Sequence, residues 1–185
     1  MKSAVVFAAL LVAQVVSSAL MAEETPKFPA PQKEHEWLRQ FVGEWESEAE
    51  SAAVAGQPAM TCKGTMRSRM LGGFWVVSES EADMMGMQFN AIQTIGYNPQ
   101  AKKYVGTWVD SMLGHMWKYE GNVDASGKLL TLEAEGPNFL QAGKLAKFRD
   151  AYEFKSKDHI VLTSSMLGED GKWTTFMTGN VRRKK

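Results

Sequence analysis

Gly96 to Tyr119 reads G-Y-N-P-Q-A-K-K-Y-V-G-T-W-V-D-S-M-L-G-H-M-W-K-Y, and its alternation decides the fold. After the turn Asn98-Pro99-Gln100, one side carries Tyr104, Gly106, Trp108, Asp110 and Met112, and the other Val105, Thr107, Val109 and Ser111. A period of two in aromatic and β-branched residues is the signature of a strand with two distinct faces. Leu113-Gly114 reads as a tight turn, after which His115, Trp117 and Tyr119 share one face of the next strand. The stretch is therefore expected to form an aromatic hairpin, the central wall of a barrel.

Outward from this hairpin, strand-like segments recur about every ten to twelve residues, the spacing of an all-β sandwich or barrel. They fall near 44–54, 58–70, 74–82, 87–96, 102–112, 115–123, 128–135, 147–156, 159–166 and 172–183. Turn chemistry joins them at Ala55-Gly56-Gln57-Pro58, Leu71-Gly72-Gly73, Asn98-Pro99, Asp124-Ala125-Ser126-Gly127 and Glu169-Asp170-Gly171. The longest irregular stretch is Phe139 to Ala146. Consecutive short strands with tight turns favour up-and-down neighbours, and closure removes the exposed edges of an open sheet. The fold expected is a single antiparallel up-and-down β-barrel of about 8–10 strands. Lys33 to Val42 places Trp37, Leu38, Phe41 and Val42 at helical spacing, so a short helix is expected to cap one end before Gly43 stops it.

The inward faces mix sizes and polarities, as in Phe148, Asp150, Tyr152 and Phe154, and again in Trp173, Thr175, Met177 and Gly179. A pure packing core would be more uniformly aliphatic, so the pattern suits a barrel with a cavity and with its indoles inside. Trp45, Phe89, Trp108, Trp117 and Tyr152 are candidate wall residues, sharing their faces with Asp110, Met112 and His115. Buried carboxylates need partners, and a ligand or waters could provide them.

The N-terminus is read separately. Lys2, the apolar run Ala4 to Val16, and small residues at Ser17-Ser18-Ala19 or Leu20-Met21-Ala22 make residues 1–22 a secretory signal peptide, an uncleaved anchor being the alternative. The expectation is an exported protein, periplasmic or secreted. Residues 23–32, with Pro26, Pro29 and Pro31, read as a linker, and 33–185 as one domain. Lys and Arg number 21 against 21 Asp and Glu, which leaves no net field to attract nucleic acid. Cys62 is the single cysteine, so no internal disulfide can form.

Enzyme signatures are mostly missing: no Gly-x-Ser-x-Gly elbow, His-Glu-x-x-His helix or phosphate-binding glycine loop occurs. Three weaker constellations remain. Asp110 and His115 could meet across the hairpin for acid–base work, a satisfied polar pair being the blander reading. Met84-Met85-x-Met87, Met112 and His115-Met116 offer thioether and imidazole ligands for Cu(I), or simply an adaptable wall. His159 is the candidate haem ligand, although Ile160 and Leu162 form the more apolar face of its strand.

L-x-x-F-V-G-E-W at 38–45, a helix running into Gly-x-Trp at the first strand, resembles the calycin superfamily of lipocalin-like and nitrobindin-like barrels. That segment joins L-G-G-F-W at 71–75, I-G-Y-N-P…K-Y-V-G-T-W-V-D-S at 95–111 and D-G-K-W…R-R at 170–183. Together they resemble a family of bacterial exported domains of unknown function, number fifteen-seventy-nine. The resemblance implies a lipocalin-like barrel and carries no catalytic residues. The expected function is binding of a small, partly apolar molecule in the barrel cavity. The alternatives are an envelope-associated interaction protein with a filled barrel, and an enzyme using Asp110 and His115.

Overall fold

The computed structural model describes residues 28–52, 59–84 and 86–185. The expected signal peptide, part of the linker, the turn at 55–58 and Met85 lie outside the described residues. The compact unit Pro31–Lys185 begins with helix α1 (Lys33–Trp37) and a 3-10 turn (Leu38–Phe41). Ten strands follow: β1 (Gly43–Ser51), β2 (Thr61–Leu71), β3 (Trp75–Met84), β4 (Met87–Asn98) and β5 (Lys103–Asp110). The rest are β6 (Trp117–Val123), β7 (Leu129–Pro137), β8 (Leu145–Ser156), β9 (His159–Leu167) and β10 (Trp173–Arg183). Each strand pairs antiparallel with its sequence neighbours, and β1 closes on β10. The architecture is the closed up-and-down barrel expected from the alternation.

Register assigns the faces. Trp45 pairs with Arg183 and Met66, Gln93 with Trp108, Trp108 with Trp117, and Asp150 with Ser164 and Leu132. These inward positions alternate with an outer wall of charge, on which Glu44 meets Arg67 and Glu48 meets Lys63 at 2.7 and 2.9 Å. A slip of one residue would carry every indole and carboxylate to the opposite face, so the register is strongly specified.

The helix closes one end. Leu38 and Phe41 are fully buried, each contributing about 2 kcal/mol by area removed from water. Phe41 meets Phe154 and Tyr152 edge-on, with centroids 5.0 and 5.5 Å away. The helix is latched at several points. Trp37 Nε1 donates to the Gly127 carbonyl at 2.8 Å, and Tyr104 Oη to the Glu34 carbonyl at 3.2 Å. His35 is buried; its Nδ1 accepts from the Gln32 amide at 2.9 Å, which leaves Nε2–H to donate to the Tyr97 carbonyl at 3.1 Å. Arg183 donates to the Val42 carbonyl at 2.7 Å and lies over the Trp45 ring, so the last strand fastens the plug. Between helix and strand, Gly43 takes φ 133°, a conformation other residues rarely adopt.

Two sequence expectations are corrected here. Trp173, Thr175, Met177 and Gly179 do not share a face, because a bulge between Thr175 and Met177 inserts Phe176 and reverses the alternation above it. Phe176 joins Phe148 inside, with rings 6.2 Å apart, whereas Trp173 lies outside beneath the Arg149 guanidinium at 3.9 Å. Nor do all indoles point inward: Trp75 lies on the outer wall across Gly96, 38% exposed.

Candidate functional site

The interior changes character along the barrel axis. Next to the helix it is filled by Val76, Ile95, Leu130, Phe154, Ile160 and Trp45, each at most 5% exposed. Towards the other end the inward positions loosen: Ser47, Ala49, Cys62, Met66, Ser80, Ala82, Phe89, Trp108, Leu162 and Met166 are all half-buried. This end is bounded by the β3–β4, β5–β6, β7–β8 and β9–β10 connections, and it forms a mouth opposite the plug. Phe139, from the β7–β8 loop, reaches over the mouth to pack on Phe148 (5.0 Å), Phe176 (6.0 Å) and Trp117 (6.4 Å), yet stays 55% exposed. Around it Met87, Met112, Leu113, Met116 and Leu140 make the rim apolar and solvent-facing.

A polar layer separates the packed end from the mouth. Asp150, on the inner face of β8, accepts from Tyr119 Oη and Ser164 Oγ, both at 2.5 Å. Gln93 Nε2 donates to Tyr152 Oη at 2.7 Å, and the Ser68 and Ser78 hydroxyls share a hydrogen bond of 2.7 Å. Burial raises the Asp150 carboxyl above the usual carboxylate range, although the two hydroxyl donors oppose the shift. Burial, and secondarily the Asp150 charge, likewise pushes the Tyr119 and Tyr152 phenols well up. Burial also raises the Cys62 thiol, which keeps it a weak nucleophile.

The Asp150 shift has a stability consequence. A carboxyl whose pKa rises on folding stabilises the fold fully below its unfolded value, about 3.9, and the contribution is lost as pH rises through the folded value. Asp150→Asn cannot lose that contribution. Urea midpoints of variant and wild type should therefore shift in favour of the variant as pH rises above about 4. A constant difference, or one moving the other way, would show that the hydroxyls overcome desolvation.

Of the residues singled out by sequence, Phe89, Trp108 and Trp117 meet in the mouth half. Phe89 stacks with Trp108 at 6.1 Å, and Trp117 packs edge-on to Phe148 at 4.9 Å. Tyr152 belongs to the polar layer. Trp45 lies deeper, fully buried, its Nε1 donating to the Phe41 carbonyl at 2.7 Å. The two-residue turn expected at Leu113-Gly114 is instead a connection from Ser111 to Met116, because β5 ends at Asp110 and β6 starts at Trp117. Met112 is consequently out on the rim, 51% exposed.

Asp110 and His115 are not partners. The Asp110 carboxylate accepts from Trp108 Nε1 at 2.9 Å and from the Met112 and Leu113 amides at 2.8 and 2.9 Å, capping the loop. His115 Nε2 bonds to the Glu135 carbonyl at 3.2 Å, its ring against Trp117 at 5.0 Å. His159 lies on the outer face, with Nε2 2.8 Å from Asn180 Oδ1, so it does not fit a haem in the lumen. Among the described residues no three His, Cys, Asp or Glu side chains gather in a metal-binding arrangement.

Two depressions mark the outer wall. One of about 510 Å³ lies where the β6–β7 ladder stops at Glu120–Glu133, and is lined by Lys103, Lys118, Glu120, Glu133, Glu135 and Lys147. A second, of about 270 Å³, lies over β1–β3 between Glu44, Arg67, Glu79 and Lys184. Both are open and strongly charged, and their charges already neutralise one another, as in Lys103–Glu120 at 2.7 Å. Neither brings aromatic surface together with isolated polar groups as the mouth does, so the mouth is the better candidate.

Fold and lumen define a class: a closed antiparallel barrel plugged by a helix at one end and aromatic at the other. Within that class the chain belongs to the family described as protein of unknown function (DUF1579), which matches residues 30–183. No curated protein matches the chain in sequence. In structure it is similar to Rv2717c from M. tuberculosis, with a TM-score of 0.64 at 10% identity over 84% of this chain and 100% of that one. It is also similar to the S-type phycobiliprotein lyase from Guillardia theta, with a TM-score of 0.56 at 13% identity over 84% of this chain and 99% of that one. At such identities the likeness concerns the fold.

Proposed function

We propose that this chain is an exported, calycin-like binding protein that takes a small, partly apolar molecule into the mouth half of its barrel. The observation that carries the reading is the asymmetry of the lumen. One half is sealed by Leu38, Phe41 and Trp45, while inward residues of the other half keep accessible surface. The interior of a small barrel is either filled by side chains or left to hold one small ligand. Here Phe89, Trp108 and Phe139, backed by the buried Trp117 and Phe148, offer aromatic surface above a layer of hydroxyl, amide and carboxylate groups. Apolar walls with a few convergent polar groups are the general form of a small-molecule site. The exposed methionines and leucines of the rim suit entry of an apolar molecule from that side. Similarity of fold to a phycobiliprotein lyase is consistent with a ligand-handling role.

Filling the lumen tests the reading. Ser80 faces inward on β3, half-buried and paired with Ala91 and Met66. Ser80→Trp is expected to weaken binding of octanol, read by quenching of tryptophan fluorescence, by at least about tenfold, while Ile92→Trp on the outer wall leaves it unchanged. Octanol binding unaffected by Ser80→Trp in a folded protein would place any binding elsewhere. A wild-type protein that binds no apolar probe would favour the filled, interaction-protein reading.

A further inference from the structure

The inward positions of the ten strands hold almost no charge. The exceptions are Asp110 at the rim, Asp150 in the polar layer, and Arg183 at the plugged end. Arg183 is committed to the Val42 and Gln40 carbonyls and to the Asp158 carboxylate. Asp110 is committed to the Trp108 indole and two loop amides. Asp150 differs: its neighbours are the hydroxyls of Tyr119 and Ser164, and among the described residues no Lys, Arg or His forms an ion pair with it. Its side chain points into the lumen beside Leu132 and Ser164, and the residue keeps some accessible surface where Phe148 and Tyr152 on either side are closed.

A carboxylate enclosed in protein without a counter-charge is costly, and proteins normally pair it or let a ligand do so. Each Asp150 oxygen accepts one hydrogen bond, so each retains a free lone pair. Aromatic faces with accessible surface line the way in at Phe89 and Trp108, and such faces attract cations.

Resting on the lumenal-binding reading, we propose that the ligand is an amphipathic amine, whose ammonium head pairs with Asp150 between Tyr119 and Ser164 and whose apolar part lies against Phe89, Trp108 and Phe139. The lumen supplies no cation above the plug to receive a carboxylate head, so fatty acids and other anionic amphiphiles are disfavoured by the same geometry. Arg183, the inward cation, lies on the far side of Trp45 from the mouth.

The test compares three probes of one length at neutral pH: octylamine, octanol and octanoate, each titrated into the full wild-type chain and followed by tryptophan fluorescence. The expected order is amine, then alcohol, then carboxylate, with at least about tenfold between amine and alcohol, the size of a charge-assisted hydrogen bond. Asp150→Asn should reduce that preference to about twofold or less. Tyr119→Phe, which leaves the carboxylate in place, should keep the order. Equal binding of amine and alcohol, or tighter binding of octanoate, would overturn the amine assignment and leave the lumenal site standing. Binding of none of the three would overturn both. The wild-type series decides between these outcomes even if the Asn variant does not fold.

Discussion

Trp45→Ala is expected to remove about 4 kcal/mol of unfolding free energy, the middle of the range for an aromatic truncation in a core. The indole is fully buried and touches both parts of the structure that must stay together. Its N–H donates to the Phe41 carbonyl at the end of the plug, and its face carries the Arg183 guanidinium at 4.1 Å. Truncation leaves a cavity, an orphaned carbonyl and a cation without its platform, at the point where β1 closes on β10. For a chain of this size such a loss lowers the melting temperature by about 8–16 °C. A denaturant titration giving less than about 1 kcal/mol would mean that the plug is not held by Trp45.

Gly121→Ala carries the second largest effect, about 3 kcal/mol, and works through overpacking. Gly121 lies on the inner face of β6, opposite Tyr104 on β5 and Leu132 on β7. A Cβ there would run into the Thr131 carbonyl oxygen and approach the Leu132 Cα at 2.9 Å, and backbone of a closed ladder cannot step aside as a side chain can. Gly106 on β5 has the same relation to the Thr94 carbonyl. Neighbouring backbones come this close at both positions, and glycine is the residue that permits it. Gly114→Ala makes a control, since nothing lies within 4 Å of a Cβ there and its φ is not positive. An unfolding free energy for Gly121→Ala within about 0.5 kcal/mol of wild type would show that the wall is more compliant than its backbone contacts indicate.

Where the alternation was unbroken, sequence was enough. Each of the ten strands lies within a few residues of its expected place, because a period of two with Gly or Asp-Gly punctuation is a local signal. The helix before Gly43 was legible for the same reason. Trp173 and Thr175 were misplaced, because a bulge adds a residue without altering local composition, and nothing between Thr174 and Met177 announces it. The Asp110–His115 pairing failed because a carboxylate at a strand end has nearer donors in its own loop, the Met112 and Leu113 amides. Asp150 was legible as a carboxylate on an aromatic face. Its meeting with Tyr119 and Ser164 was not, since those residues come from β6 and β9 and converge only once closure and register are fixed. The half-buried inner positions were legible only as a tendency, in the mixed sizes of Phe148, Asp150 and Tyr152; which half they occupy follows from where the helix sits.

Amide chemical-shift mapping by nuclear magnetic resonance during an octanol titration is the most direct measurement of where a molecule binds. The expected result is saturable shifts centred on Phe89, Trp108, Trp117, Tyr119 and Phe148, fading towards Leu38 and Trp45 at the plugged end. Shifts confined to the outer groove of Lys118, Glu133, Glu135 and Lys147, or none at saturating octanol, would contradict a lumenal site.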